Sequence, residues 1–159
     1  MGKLDLGIKG IDSIFTHIKL DTRDWDTISL PSLWESTVID LFDGSVWFRK
    51  EIDVKPNWVG KAMTLDIAPS DDYDEAWING VKVGQSGLWG ETRHYTVPEG
   101  LIKEKGNVIV LRVSDFQGAG GFNGKAEDMA LRFGKDKIDL SGVWKCHKGF
   151  DLSKIAAKP

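Results

Sequence analysis

The stretch Ala76-Trp77-Ile78-Asn79-Gly80-Val81-Lys82-Val83-Gly84 decides the fold. Two β-rich runs meet at Asn79-Gly80, the strongest short-range sign of a tight hairpin, because both central residues of a type I′ turn need positive φ. The stretch runs straight into Gly84-Gln85-Ser86-Gly87, which has the outline of a serine-hydrolase nucleophile block. Whether Ser86 is a nucleophile or merely leaves the hairpin separates an enzyme from an accessory domain.

Working outward, the same β character extends in both directions. Residues 27–30 form a short strand stopped by Pro31. Residues 46–54 alternate, with Trp47, Arg49 and Glu51 on one face and Val46, Phe48, Lys50 and Ile52 on the other. Met63, Leu65 and Ile67 share a face, residues 93–97 follow, and the nearly continuous apolar run 108–114 reads as a central strand buried on both faces. Residues 129–133, 137–140 and 143–146 complete about nine short strands separated by turn signals. That spacing predicts an all-β, two-sheet antiparallel sandwich of jelly-roll type. Residues 101–105 carry the one helical turn expected inside it. The first 24 residues show no clear alternation, with 11–19 open to helix or strand, so the expected organisation is an arm at 1–24, the sandwich at 25–149 and a tail at 150–159.

Bulk properties narrow the function. The 159 residues suit one domain with a real core. Lys plus Arg is 21 against 24 for Asp plus Glu, a net charge of −3 with no basic stripe, which argues against nucleic acid and anionic membrane surfaces. The longest aliphatic run, 108–111, is too short to span a bilayer, and no signal peptide or myristoylation pattern is seen, position 6 being Leu. Cys146 is alone, so no internal disulfide forms and the compartment stays open. Eighteen glycines suit many tight turns, while seven tryptophans suit a thick β core or a sugar-stacking surface.

Among candidate sites, Ser86 has no evident partners: His94 sits within a strand, and no Asp-x-x-His pattern follows near the C-terminus. The hairpin exit is therefore the expected role. Asp71-Asp72-Tyr73-Asp74-Glu75 is a carboxylate-rich turn; Asp71, Asp72 and Asp74 are the Ca²⁺ candidates, although the spacing fits no EF-hand and a solvated turn explains it as well. Gly118-Ala119-Gly120-Gly121-Phe122-Asn123-Gly124 fails the dinucleotide fingerprint and is left as a loop presenting Phe122 and Asn123 to a ligand or a neighbouring domain. Trp47 and Trp77 belong to alternating strands and are expected in the core. Trp34 and Trp89 stand in turns and, with Tyr73, are the candidates for stacking on a sugar. His17, His94 and His147 are isolated and, with one Cys, outline no zinc site.

An ordered set of motifs then carries a resemblance. Ser29-Leu30-Pro31-Ser32-Leu33-Trp34-Glu35 is followed by Phe42-Asp43-Gly44-Ser45-Val46-Trp47-Phe48-Arg49-Lys50 and Trp58-Val59-Gly60-Lys61. Then come Asp71-Asp72, Trp77-Ile78-Asn79-Gly80, Gly106-Asn107-Val108-Ile109, Arg112-Val113-Ser114-Asp115, the glycine loop and Leu140-Ser141-Gly142-Val143-Trp144-Lys145. Across about residues 25–149 these resemble the β-sandwich inserted into bacterial sialate O-acetylesterases, which are SGNH-type carbohydrate esterases. A fainter likeness runs to the galactose-binding-like jelly roll of β-galactosidases and β-glucuronidases. The resemblance implies an extracytoplasmic bacterial parent whose catalytic residues lie in a flanking SGNH hydrolase domain, so none is carried onto this chain. It also implies that the loops at Asp43-Gly44 and 118–124 face that partner, and it adds Asp43 and Asp115 to the ligand-binding candidates. The expectation is a non-catalytic accessory module that contacts carbohydrate; a free-standing carbohydrate-binding module is the alternative, and a small hydrolase using Ser86 a remote third.

Overall fold

A computed structural model describes residues 11–34, 43–116 and 120–152. Glu35, Phe42, Gly118, Ala119 and most of the C-terminal tail lie outside the described residues. The elements are α1 (Ile11–Phe15), β1 (Asp26–Leu30), β2 (Gly44–Ile52), β3 (Met63–Ile67), β4 (Tyr73–Ile78), β5 (Val81–Ser86), β6 (Arg93–Val97), β7 (Asn107–Asp115), β8 (Ala130–Phe133), β9 (Asp136–Asp139) and β10 (Gly142–Asp151). Six strands in the order β1-β10-β2-β7-β4-β5 face four in the order β6-β3-β8-β9, and all pairings are antiparallel. This is the expected sandwich.

The Asn79-Gly80 turn has the required geometry, with φ of 49° and 82°. Asn79 does more than turn. Its side-chain amide donates to Leu101 O (2.9 Å) and Asn107 Oδ1 (3.0 Å), while its Oδ1 accepts the Val108 N–H (2.9 Å). Asn107 in turn donates to Ile52 O and Lys103 O and accepts the Lys103 N–H. Backbone groups at 101–103 are thus claimed by two asparagine side chains, and the helical turn expected at 101–105 does not form. Short 3₁₀ turns occur at Pro56–Trp58 and Ala126–Asp128 instead.

Alternation sorts the apolar residues into two cores. Val46, Phe48, Ile78, Ile109, Leu111, Val113 and Trp144 of the six-stranded sheet pack inward on Met63, Leu65, Ile67 and Leu131 of the four-stranded one. Trp47 and Trp77 are buried as expected, yet on the opposite face: with Val108 and Val110 they form a second cluster roofed by Phe15, Ile14, Leu20 and Trp25. β7 is therefore apolar on both faces because each face meets a core. Phe15 stacks on Trp47 at 5.0 Å, Trp47 lies 5.4 Å from Trp77, and the Arg112 guanidinium sits 4.9 Å from the Trp47 ring centre. Arg49 pins the arm by donating to the carbonyls of Phe15, His17 and Ile18. The described part of the N-terminal arm, with Ile14, Phe15, Leu20 and Trp25, is thus a docked strap over the large sheet.

Two outcomes test this packing. Phe15→Ala should lower the unfolding free energy by about 3 kcal/mol in urea titrations, as for other buried aromatics; an unchanged midpoint would mean that the arm is not docked. Burial pushes the Cys146 thiol from an ordinary value of 9.0 up to about 11. Between those values the unfolded chain releases the proton and the folded chain keeps it, so stability falls as pH rises from about 9 to about 11. Cys146→Ala should remove that part of the alkaline loss, read as the difference in urea midpoint between pH 9 and pH 10.5.

Candidate functional site

The strand registers bring most of the candidates to one end of the sandwich. Gly44 pairs with Asp115, Tyr73 with Ser114, and Asp74 with Ser86. Loop segments are then zipped across this end by backbone bonds: Leu33 bridges Gly121, Ser70 bridges Phe122, Asp71 N donates to Gly121 O (3.0 Å), and Asn123 N donates to Pro69 O (2.7 Å). They enclose a cavity of about 140 Å³ whose lining includes Leu33, Ser70, Asp71, Trp89, Gly121 and Asn123.

A buried guanidinium organises this end. Arg93 and Asp74 are almost fully buried and ion-paired, Nε to Oδ1, at 2.6 Å. Asp74 also accepts from Ser70 Oγ (2.9 Å) and, through Oδ2, from Tyr95 OH (2.5 Å). With its remaining donors Arg93 reaches Ser70 Oγ (3.2 Å), Leu88 O (2.7 Å) and Glu91 O. The Leu88 and Glu91 carbonyls flank Trp89, so a buried, ion-paired cation braces the loop on either side of an indole that is 74% exposed. Leu88, Phe116 and Leu33 add exposed apolar surface. The Phe116 N–H also donates to Asp72 Oδ2 at 2.7 Å, tying the end of β7 to the acidic turn.

The structure corrects several expectations. Trp34 and Phe122 are 0% and 1% exposed, so neither can stack on a sugar. Gly120 lies against the Trp34 indole, where an added Cβ would fall 2.0 Å from ring atoms, and Phe122 meets Phe48 edge-on at 5.4 Å. The glycine loop is therefore partly a core closure: glycine lets its backbone lie flat on a tryptophan. Asp74 is no metal candidate either, because Arg93, Ser70 and Tyr95 already hold its carboxylate. The acidic group that does converge is Asp71, Asp72 and Asp115, each offering an oxygen within 4.8 Å of the others. Hard carboxylate oxygens so arranged could hold a divalent cation such as Ca²⁺. Tyr73 is half-buried beside Gly87, and exposed Asp43 accepts the Leu152 N–H through its carbonyl, apart from the cavity lining. Trp89 and Asn123 remain as accessible candidates.

The serine motif also resolves. Ser86 is the last residue of β5, and its hydroxyl accepts the Leu88 N–H at 3.1 Å. His94 pairs with Asp66 (2.7 Å) in the other sheet, where Arg132 holds the second carboxylate oxygen. Gly84 is required because the Tyr95 ring lies on it; an ideal Cβ there would be 2.1 Å from Tyr95 Cδ1. Arg93 escaped the sequence reading. Its signal was a charge in register with the buried Val97 of the same strand, while His94 and Thr96 between them are exposed.

No protein-family model matches the sequence, and no curated protein matches it. Solved structures do. A calcium-binding mutant of Bacteroides uniformis β-glucuronidase 2 aligns with a TM-score of 0.61 at 19% identity, over 87% of this chain and 16% of that one. A further Bacteroides uniformis β-glucuronidase structure gives 0.59 at 19%, again over 87% and 16%. A β-glucuronidase from an uncultured Clostridium gives 0.57 at 17%, over 92% and 27%. The likeness places the fold among β-sandwich domains similar to those of glycoside hydrolases, and the chain spans only a fraction of the length of each of those enzymes.

These contacts separate two substitutions in one motif. Gly84→Ala should destabilise strongly, by about 2–4 kcal/mol, because the Cβ meets the base of a ring anchored through its hydroxyl. Ser86→Ala should cost about 1 kcal/mol or less, the loss of one exposed hydrogen bond. Thermal melts of the pair would refute the assignment if the order were reversed.

Proposed function

We propose that this chain is a non-catalytic accessory module of a carbohydrate-active enzyme and that its open end contacts carbohydrate through Trp89, Asn123 and Asp71. The observation that carries the reading is an exposed indole on a loop whose backbone is clamped at two carbonyls, beside a small cavity lined by Ser70, Asp71 and Asn123 as well as apolar residues. An exposed tryptophan costs hydration free energy, and bracing it from within suits a stacking platform whose entropy is lost before the ligand arrives. Asn123 and Asp71 supply the donor and acceptors that sugar hydroxyls need at the rim of such a face. The β-sandwich similarity to parts of β-glucuronidases supports the same class of parent. The sequence motifs favour an SGNH-type carbohydrate esterase, sialate O-acetylesterase-like and extracytoplasmic, as the particular parent.

A second role follows from the same surface. Leu33, Leu88 and Phe116 leave exposed apolar side chains at this end, which suits packing on a catalytic domain in the intact enzyme.

Calorimetry of the chain against a panel of mono- and oligosaccharides tests the binding role. A saturable heat that disappears in a folded Trp89→Ala variant is the expected result; no heat with any sugar would leave only the architectural role. Aryl-acetate hydrolysis that is lost in Ser86→Ala would overturn the non-catalytic reading.

A further inference from the structure

The charge around the open end points to its ligand class, an inference that rests on the carbohydrate-binding reading above. The cavity lining contains one carboxylate, Asp71, and no lysine, arginine or histidine. Asp71 is joined by Asp72 and Asp115, all three within 4.8 Å of one another. The Arg93 guanidinium that reaches this loop is 2% exposed, and its donors go to Asp74, Ser70, Leu88 and Glu91. The Glu91 side chain is itself a further acid on the Trp89 loop, which holds no basic residue between Gly87 and Thr92. The nearest lysine along the chain from Asn123 is Lys125, whose backbone N–H closes a turn on Asp128 and whose ammonium lies 4.0 Å from Glu127. An anionic sugar stacked on Trp89 would bring its carboxylate toward Asp71, and among the described residues no lysine, arginine or histidine lines the cavity.

We infer that this end selects uncharged pyranosides and rejects uronic and sialic acids. An uncharged sugar offers hydroxyl donors to Asp71 and to the Asn123 carbonyl and an apolar ring face to the indole. A carboxylated sugar gains the same stacking but meets like charge at a partly desolvated site, where repulsion across about 5 Å is enough to weaken binding tenfold or more. In a glycan with both kinds of residue, the module grips a neutral unit and leaves the acidic one to another domain.

The test is titration of the 15N-labelled chain with methyl β-galactoside, methyl β-glucoside, glucuronate and N-acetylneuraminate at pH 7, followed by the Trp89 indole N–H resonance. Each titration is run once in EDTA and once in millimolar CaCl₂. The inference expects a neutral pyranoside to shift the indole signal and the acids to bind at least tenfold more weakly in both media. It also expects Asp71→Asn, with an unchanged amide spectrum elsewhere, to narrow the gap. Equal or tighter binding of glucuronate or N-acetylneuraminate, with or without calcium, would overturn the selectivity while leaving carbohydrate binding intact. A Trp89 signal unmoved by every sugar would overturn the binding reading and the selectivity with it.

Discussion

The structure depends on one buried ion pair. Asp74 belongs to the six-stranded sheet and Arg93 to the four-stranded sheet, and neither charge is reachable by water. A buried charge is tolerable only when paired and well hydrogen-bonded, and here Tyr95 and Ser70 bond the carboxylate, while Asp74, Ser70, Leu88 and Glu91 take up four of the five guanidinium N–H groups. The pair therefore fixes how the two sheets meet at this end and holds the Trp89 loop by its backbone. Hydrophobic burial makes the sandwich compact, but apolar contacts have little directionality. The ion pair adds that directionality where the candidate site is built.

The opposite end uses a neutral version of the same device. Asn79 and Asn107 exchange a side-chain bond and collect backbone groups from 52, 101, 103 and 108. Amides suffice there because the groups they collect are neutral backbone N–H and C=O groups. Between the two ends the central strands β2, β7 and β4 are covered on both faces, inward by the sandwich core and outward by the strap whose Phe15 stacks on Trp47. Positions that alternate between the two faces are therefore apolar in both phases, as in β7.

Much of this was legible in the sequence. The hairpin follows from Asn-Gly chemistry, the strands from period-two alternation, and the buried state of Trp47 and Trp77 from their places in strands. What failed did so for identifiable reasons. Trp34 and Phe122 sit in segments with turn-like composition, and local composition cannot show that such a segment folds back over a core. Asp74 looks like its neighbours Asp71 and Asp72, and only the strand register turns it inward to Arg93 while Asp115 arrives from β7, more than 40 residues away in sequence. The helical turn expected at 101–105 lost to two asparagine side chains, the distant Asn79 and the nearby Asn107. The strap was unreadable because its apolar residues answer a sheet face that exists only after folding. At the site, Trp89 and Asn123 were legible as exposed turn residues; the clamp on the Trp89 loop was not.

The central claim is that a buried Arg93–Asp74 pair presents Trp89 as a preorganised face. NMR relaxation of the free chain tests it most directly, through order parameters for the backbone amides of 88–91 and the Trp89 indole N–H. The account predicts values near 0.85, those of rigid structure, despite the exposure of the loop. Values below about 0.6 across the loop would contradict it, since an indole that moves freely before binding is not held by the ion pair beneath it.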